Sequence, residues 1–386
     1  MKQIKINQRY FQKFLLSLVL ILVFSFLIMS PYPQNLNIGT GDFRPYWSAS
    51  YLLRQGQDFS NPILMDKIER TLTGWDKSFT MMAWFAPTGM VILLPFTLLP
   101  FEKAAFLWLL LSILVLCITA FLLWEKGNRK IWIPLLVIFA FPMTLLSLYV
   151  GQINILVLLG LAIYLSLEKS KYQYLRGVGL ALTTIKPHLV ILTLPLIILD
   201  SIYRKQWKLL IGFSGALLFS AIILFAFYPS WISSFWILIS FGLSTLRETP
   251  TISGLIVHTT GQSWGKWLWI PGLFIFTVFW WIRKEKINFH HMIYYSIPLS
   301  LLVSPIGWSY DQIILLVPTF FILIRMMNFE TNEKSKKLVK IILTITYLII
   351  FILRIFSPNE VWFFWTHVII LFLLQHTKLI SHLSKH

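Results

Sequence analysis

Asp42 stands in Gly41-Asp42-Phe43-Arg44-Pro45-Tyr46-Trp47, a dozen residues beyond the first apolar run of the chain. A carboxylate so close to a bilayer is costly to keep and marks function by default. Transporters and channels tend to bury charge midway along helices, whereas an acid in the first external loop acts on a substrate held at the water boundary. The competing reading is a cap for a helix starting at Pro45. Three other segments carry comparable groups. Thr183-Thr184-Ile185-Lys186-Pro187-His188 places a lysine and a histidine inside an apolar stretch. Lys186 either faces a cavity or snorkels to the interface, and His188 either shapes a pocket or is a structural histidine. Val150-Gly151-Gln152-Ile153-Asn154 puts two amides at a helix start, where Asn154 caps, bonds a neighbouring helix or meets substrate. Ser304-Pro305-Ile306-Gly307-Trp308-Ser309-Tyr310-Asp311-Gln312 offers Trp308 and Tyr310, which are interfacial anchors or site residues. Its Asp311 suits a helix N-terminus or the same site.

The elements that must position these groups are membrane helices. The 386 residues are 57% hydrophobic and 12% charged, with mean hydropathy +0.74. No soluble domain has that balance. Twelve spans are expected, near 12–30, 104–124, 131–149, 152–168, 174–186, 188–203, 207–228, 264–283, 290–304, 309–327, 338–356 and 360–377. With both termini inside, nearly all of the net charge of +18 falls on the cytoplasmic face. That is the positive-inside asymmetry, not a nucleic-acid surface. The first run follows Lys2, Lys5, Arg9 and Lys13 but lacks a small-residue cleavage pattern, so it reads as a retained span. The single cysteine, Cys117, excludes an internal disulfide. The sparse acids and histidines form no motif of metal-ligand spacing, and no metal is expected.

The whole chain, 1–386, therefore reads as one polytopic all-α membrane domain in the cytoplasmic membrane. Its first external loop spans 31–103 and a second spans 229–262. Segment 84–99 is apolar enough to cross, but crossing would turn the basic loops at 169–176, 204–208 and 283–286 outward. Pro87, Gly89, Pro95 and Pro100 also spoil a straight helix. It is expected to be re-entrant or interfacial, beside a short amphipathic helix over 45–55. Segment 175–199 is expected to be two half-length helices turning at Lys186-Pro187, because irregular backbone at this depth survives where it lines a cavity. In the second loop Arg247-Glu248 reads as a surface ion pair or as a substrate contact, and His258 as structural or pocket-lining. Arg354 and Glu360 anchor the outer boundary or hold a lipid headgroup.

These segments, in this order, resemble the membrane glycosyltransferases of family 87, within the C-type glycosyltransferase superfamily. The resemblance covers about residues 35–325. It rests on Gly41-Asp42-Phe43 with Tyr46 and Ala49-Ser50-Tyr51-Leu52-Leu53, then Trp84-Phe85-Ala86-Pro87 with Leu94-Pro95-Phe96 and Leu99-Pro100. It continues through Gly151-Gln152-Ile153-Asn154, Gly177-Val178-Gly179-Leu180-Ala181, Ile185-Lys186-Pro187, and Ser304-Pro305 with Trp308. The family usually carries histidine shortly after that last motif; here Tyr310 and Asp311 stand there.

The resemblance implies a bundle of about twelve transmembrane helices with jutting helices in the first external loop. It implies transfer of a sugar, typically mannose, from a polyprenyl monophosphate to a glycolipid or glycan hydroxyl on the outer face, with inversion. Asp42 takes the position of the general base, and a lipid-phosphate leaving group calls for cations such as Lys186 and Arg44. Tyr46, Gln152, Asn154, His188, Trp308, Tyr310 and Asp311 complete the expected substrate site. Two other classes share the polytopic look: a lipid-linked sugar flippase, which favours paired broken helices, and a polysaccharide polymerase or ligase, which favours a long basic late loop.

Overall fold

The computed structural model describes residues 38–124, 132–244, 247–285, 288–328, 333–356 and 359–383. The expected first span, 12–30, and the basic segment before it lie outside these. Among the described residues every regular element is helical. That follows from the sequence, since long apolar stretches in lipid must satisfy their backbone polar groups internally.

The first loop holds α1 (Phe43–Arg54), α2 (Pro62–Thr73) and α3 (Pro87–Leu93), the last continued by a 3-10 turn over Leu94–Leu98. The helix expected over 45–55 thus starts two residues earlier. Asn61 caps α2 by accepting from the Ile63 and Leu64 amides, at 2.9 and 3.3 Å, and Gly74 closes it. Segment 84–99 does not cross: its prolines leave only a short apolar helix, Pro87–Leu98, that packs on α1.

Then follow α4 (Phe101–Leu123), α5 (Trp132–Phe139), α6 (Pro142–Val150), α7 (Asn154–Ser166), α8 (Gln173–Leu182) and α9 (Thr193–Tyr203). The span expected over 131–149 is bent by 69° between α5 and α6, where Pro142 restarts the helix. Region 175–199 breaks as expected. Two 3-10 turns, Thr183–Ile185 and Pro187–Val190, separate α8 from α9, and Lys186 sits between them in non-helical backbone.

The remaining helices are α10 (Trp207–Phe227), α11 (Trp231–Ser244), α12 (Ile252–Thr260), α13 (Trp269–Arg283), α14 (Phe289–Val303), α15 (Leu316–Asn328), α16 (Glu333–Phe356) and α17 (Trp365–Leu383). The second loop is therefore largely helical, a feature its sequence does not announce. Five helical segments are long and apolar enough to cross a bilayer: Phe101–Leu123, Trp207–Phe227, Trp264–Arg283, Ser309–Met327 and Lys336–Phe356. A sixth is added if α5 and α6 form one span. The other expected spans are shorter helices or lie outside the described residues. Outward faces carry Ile222, Trp236, Phe274, Trp281 and Phe351, the surface of a membrane protein.

A single cluster of buried apolar side chains runs from Phe43 to Leu374. Its tightest joint explains the Gly177-Val178-Gly179 motif. A side chain on Gly177 would collide with the Leu209 carbonyl, and one on Gly212 with the Tyr174 carbonyl, so α8 and α10 meet backbone to backbone. On its other side α8 meets α7 through Gly179 and Gly160. This wedge fixes the helix whose end delivers Lys186.

The first loop has its own buried acid. Glu69 is fully enclosed, accepts from the Met81 amide at 3.0 Å, and has one carboxylate oxygen without a hydrogen-bond partner. Burial pushes its pKa up to about 7 from 4.5, opposed by the Met81 hydrogen bond and by Arg44. The unfolded loop releases this proton near 4.5 and the folded loop near 7, so loop stability falls as pH rises between those values and is flat above. The change is on the order of 3 kcal/mol. Limited proteolysis of this loop is therefore slower at pH 5.5 than at pH 8 for the parent, and a Glu69→Gln variant loses most of that difference.

Candidate active site

The site begins with a backbone joint. The Asp42 amide donates to the Val150 carbonyl at 2.6 Å, and the Gly39 amide to the Tyr149 carbonyl at 2.7 Å. Gly41 lies against Val150. Gly151 ends α6 with φ +75°, and a side chain there would strike the Gly39 carbonyl and Phe43. Trp108 of α4 secures the turn by donating its indole N–H to the Gly151 carbonyl at 3.1 Å. Two sequence motifs more than a hundred residues apart are thus held together by their main chains.

This joint sets Asp42 beside Gln152. Asp42 occupies the N-cap position of α1 but makes no capping bond. Its carboxylate accepts instead from the Gln152 side-chain amide. The Gln152 carbonyl oxygen accepts from the Tyr46 hydroxyl at 3.0 Å and from the Lys186 ammonium at 2.9 Å. Gln152 is therefore the hub, and its orientation is dictated: with two donors on its oxygen, its NH2 must face the carboxylate. Tyr310 also hydrogen-bonds to Asp42. Burial raises the Asp42 pKa from its ordinary 3.8, opposed by the Lys186 charge and by the Gln152 and Tyr310 hydrogen bonds.

Lys186 reaches this hub because the chain breaks at Pro187. The Ala86 amide donates to the Ile185 carbonyl at 2.9 Å, so the jutting segment of the first loop is latched to the break. Lys186 pairs with Asp311 at 2.9 Å, with side chains 2% and 1% exposed, and its ammonium lies 5.2 Å from the Tyr310 ring centre. The lysine expected to meet a donor phosphate is thus already engaged by an internal carboxylate.

Asp311 lies in a 3-10 turn over Ser309–Leu315. One oxygen takes Lys186, and the other accepts from the Trp308 amide at 3.1 Å, so both readings of this acid hold at once. Asn154 does not cap α7. Its NH2 donates to the Tyr310 carbonyl at 2.8 Å and contacts Asp311 at 3.4 Å, stitching α7 to the 304–315 segment. Glu360 holds the same segment from the far end, accepting from the Ser309 amide at 2.6 Å while pairing with Arg354 at 2.7 Å. Those two residues are anchors. His188 lies close enough to Asp311 and Lys186 to feel both charges, and its Nε2 is buried without a hydrogen-bond partner.

Arg44 is not brought to the cluster. Two positions along α1 its side chain points away from Asp42, donating to the Thr73 carbonyl and, at 2.5 Å, to the Thr73 hydroxyl. It lies over the Trp75 and Phe101 rings at 5.0 and 4.8 Å. It clamps the first loop, and its expected phosphate role is withdrawn. The pairing of Arg247 with Glu248 is also corrected. Glu248 contacts His258 at 3.1 Å and Asn359, which makes His258 a loop contact. Arg247 instead lies over the Trp84 and Trp308 rings, at 5.0 and 5.5 Å. Trp308 is stacked on Tyr310, with ring centres 6.0 Å apart and planes at 9°. The sequence signal for Arg247 is its being the sole basic residue of 229–262.

The assembled groups are an oriented carboxylate of raised pKa, an internally compensated lysine and an aromatic-lined arginine at one end of a helical membrane bundle. They suit removal of a proton from a hydroxyl next to an anionic group. No curated protein and no solved structure matches the chain. The sequence model of glycosyltransferase family 87 does match, over residues 85–305. That segment holds Gln152, Asn154, Lys186 and Arg247, begins after Asp42 and ends before Trp308, and is shorter than the 35–325 over which the motifs are read. With more than half its length matched, this membrane protein belongs to glycosyltransferase family 87.

Proposed function

We propose that the protein moves a sugar, mannose as the first candidate, from a polyprenyl monophosphate to a hydroxyl of a glycolipid or glycan acceptor. Asp42 is the general base and the anomeric carbon inverts. One observation carries this reading: Asp42 leaves its own helix uncapped and gives its carboxylate to Gln152. Asp311, the other acid of the cluster, is engaged by Lys186 and the Trp308 amide, which leaves Asp42 as the group for proton transfer.

In this reaction the acceptor oxygen attacks the anomeric carbon while its proton passes to Asp42. The bond from that carbon to the phosphate oxygen breaks, and the electron pair leaves with the polyprenyl phosphate. Gln152 and Tyr310 orient the carboxylate, and Lys186 favours its ionised form. Partial burial raises its basicity toward what a hydroxyl proton requires. The reaction faces outward from the cytoplasmic membrane, within one domain of about twelve spans whose termini are cytoplasmic; the concentration of basic segments away from the Asp42 side supports this.

No metal is assigned. Among the described residues no three of His, Cys, Asp or Glu gather as ligands, and arginine or lysine suffices for a monophosphate leaving group. The test uses membranes given a radiolabelled polyprenyl-phosphate sugar with excess chelator. Label is expected to pass to acceptor at the untreated rate. Transfer only from a sugar nucleotide would refute the donor, and loss reversed by magnesium or manganese would refute metal independence. The bend between α5 and α6 adds a second broken element of the kind a flippase uses. The same assay separates the two, because translocation leaves the sugar on its carrier.

A further inference from the structure

We infer that Arg247, held between Trp84 and Trp308, is the subsite for the donor's phosphate, and that Lys186 is a positioning residue for the base. This rests on the donor proposed above.

The argument starts from what each cation is doing. The ammonium of Lys186 is directed at the Gln152 oxygen and at an Asp311 oxygen, each at 2.9 Å, and at the face of Tyr310. A phosphate would have to displace a buried carboxylate to use it, and a buried charge left without its partner is strongly penalised. The Lys186 charge is better described as a brace that holds the Gln152 oxygen and favours an ionised Asp42.

Arg247 differs in every respect. It is partly exposed, in the turn between α11 and α12. That turn is fixed behind it: the Thr249 amide donates to the Arg247 carbonyl at 3.1 Å, and the Thr251 hydroxyl caps α12 by accepting from the Gly254 amide at 3.0 Å. The two indoles come from distant segments and are themselves held. Trp84 stacks on Phe241, with planes at 9°, where Gly242 lacks the side chain that would collide with it. Trp308 stacks on Tyr310. Cation–π contact uses the faces of the guanidinium and not its edge, where the N–H donors lie. A planar fork set on edge between aromatic walls suits two phosphate oxygens, as a lysine point charge does not.

The path from this fork to the base is short in chemical terms. Arg247 lies on Trp308, Trp308 on Tyr310, and Tyr310 hydrogen-bonds to Asp42. As the bond to the anomeric carbon breaks, negative charge grows on the phosphate oxygen. Arg247 meets that charge on the side of the cluster opposite Lys186, and the acceptor proton goes to Asp42 between them.

The experiment measures binding of sugar-free polyprenyl phosphate to the full chain in nanodiscs, alongside transfer kinetics. Arg247→Gln is expected to weaken binding about thirtyfold, to raise the KM for the lipid donor and to leave the KM for acceptor unchanged. Arg247→Lys, which keeps the charge but loses the fork, is expected to weaken it about fivefold. The double variant Lys186→Met/Asp311→Leu removes the internal pair without stranding a charge. It is expected to bind polyprenyl phosphate within about threefold of the parent while shifting the acid limb of the pH profile. Unchanged binding in Arg247→Gln, or loss of binding confined to the double variant, overturns the inference and spares the donor reading. Parent protein that binds no polyprenyl phosphate overturns both. Phosphatidylglycerol at equal mole fraction is expected not to compete; competition abolished by Arg247→Gln would assign the fork to a bulk lipid headgroup and overturn the inference.

Discussion

Asp42→Asn is expected to lower kcat for sugar transfer about a thousandfold, the range in which a positioned base contributes. The thermal midpoint is expected to stay near that of the parent, because the asparagine oxygen can still accept from the Gln152 amide that now binds the carboxylate. The same residue sets the pH dependence. Asp42 works as a base only when ionised, so activity falls as pH drops through its pKa. Burial places that pKa above the ordinary 3.8 despite Lys186 and two hydrogen bonds. The acid limb of kcat/KM is therefore expected above 3.8 in the parent and absent from the residual activity of Asp42→Asn. An asparagine variant as active as the parent would remove Asp42 from the chemistry.

The second large effect is on stability. Lys186→Met strands Asp311, and Asp311→Leu strands Lys186, in surroundings where both are almost completely enclosed. Each single variant is expected to lose about 3–5 kcal/mol, and the double variant to regain most of it, because replacing both members of a buried pair by apolar groups is often close to neutral. Thermal unfolding in detergent reads the cycle directly. Recovery of stability without recovery of activity is the expected signature. In the double variant the Lys186 charge no longer favours ionised Asp42, so the acid limb moves to higher pH. Additive single effects, with no recovery in the double, would show that the two charges do not depend on each other.

The features legible in the sequence were those with a local cause. Pro187 after Lys186 in an apolar stretch gives the break between α8 and α9. The prolines of 84–99 give a helix too short to cross. Gly151 ahead of Gln152 gives the turn that the site is built on. What was illegible depends on distant partners. Nothing in Arg44-Pro45 says that its guanidinium turns to Thr73 and away from Asp42. Arg247 gains meaning only when Trp84 and Trp308 converge on it. Helix α11 could not be told from a loop by charge, because loop and membrane-facing helix are equally uncharged there. Hydropathy likewise counted spans where several of the resulting helices are short or bent, since apolar content reports burial and not length.

The order in which the chain is made gives Lys186 a second significance. Synthesis and insertion run from the N-terminus. When Lys186 enters the membrane, Asp42 and Gln152 already exist, while Asp311 lies 125 positions further on. During that interval the ammonium has only the earlier segments to shelter it, so the joint of Gly39–Asp42 with Tyr149–Gln152 must form first. Asp311 then arrives as the last piece and closes the cluster. A chain stopped between Lys186 and Asp311 would hold an uncompensated lysine in lipid, a ready mark for quality control. The pair at the centre of the enzyme thus also reports whether the enzyme has been finished.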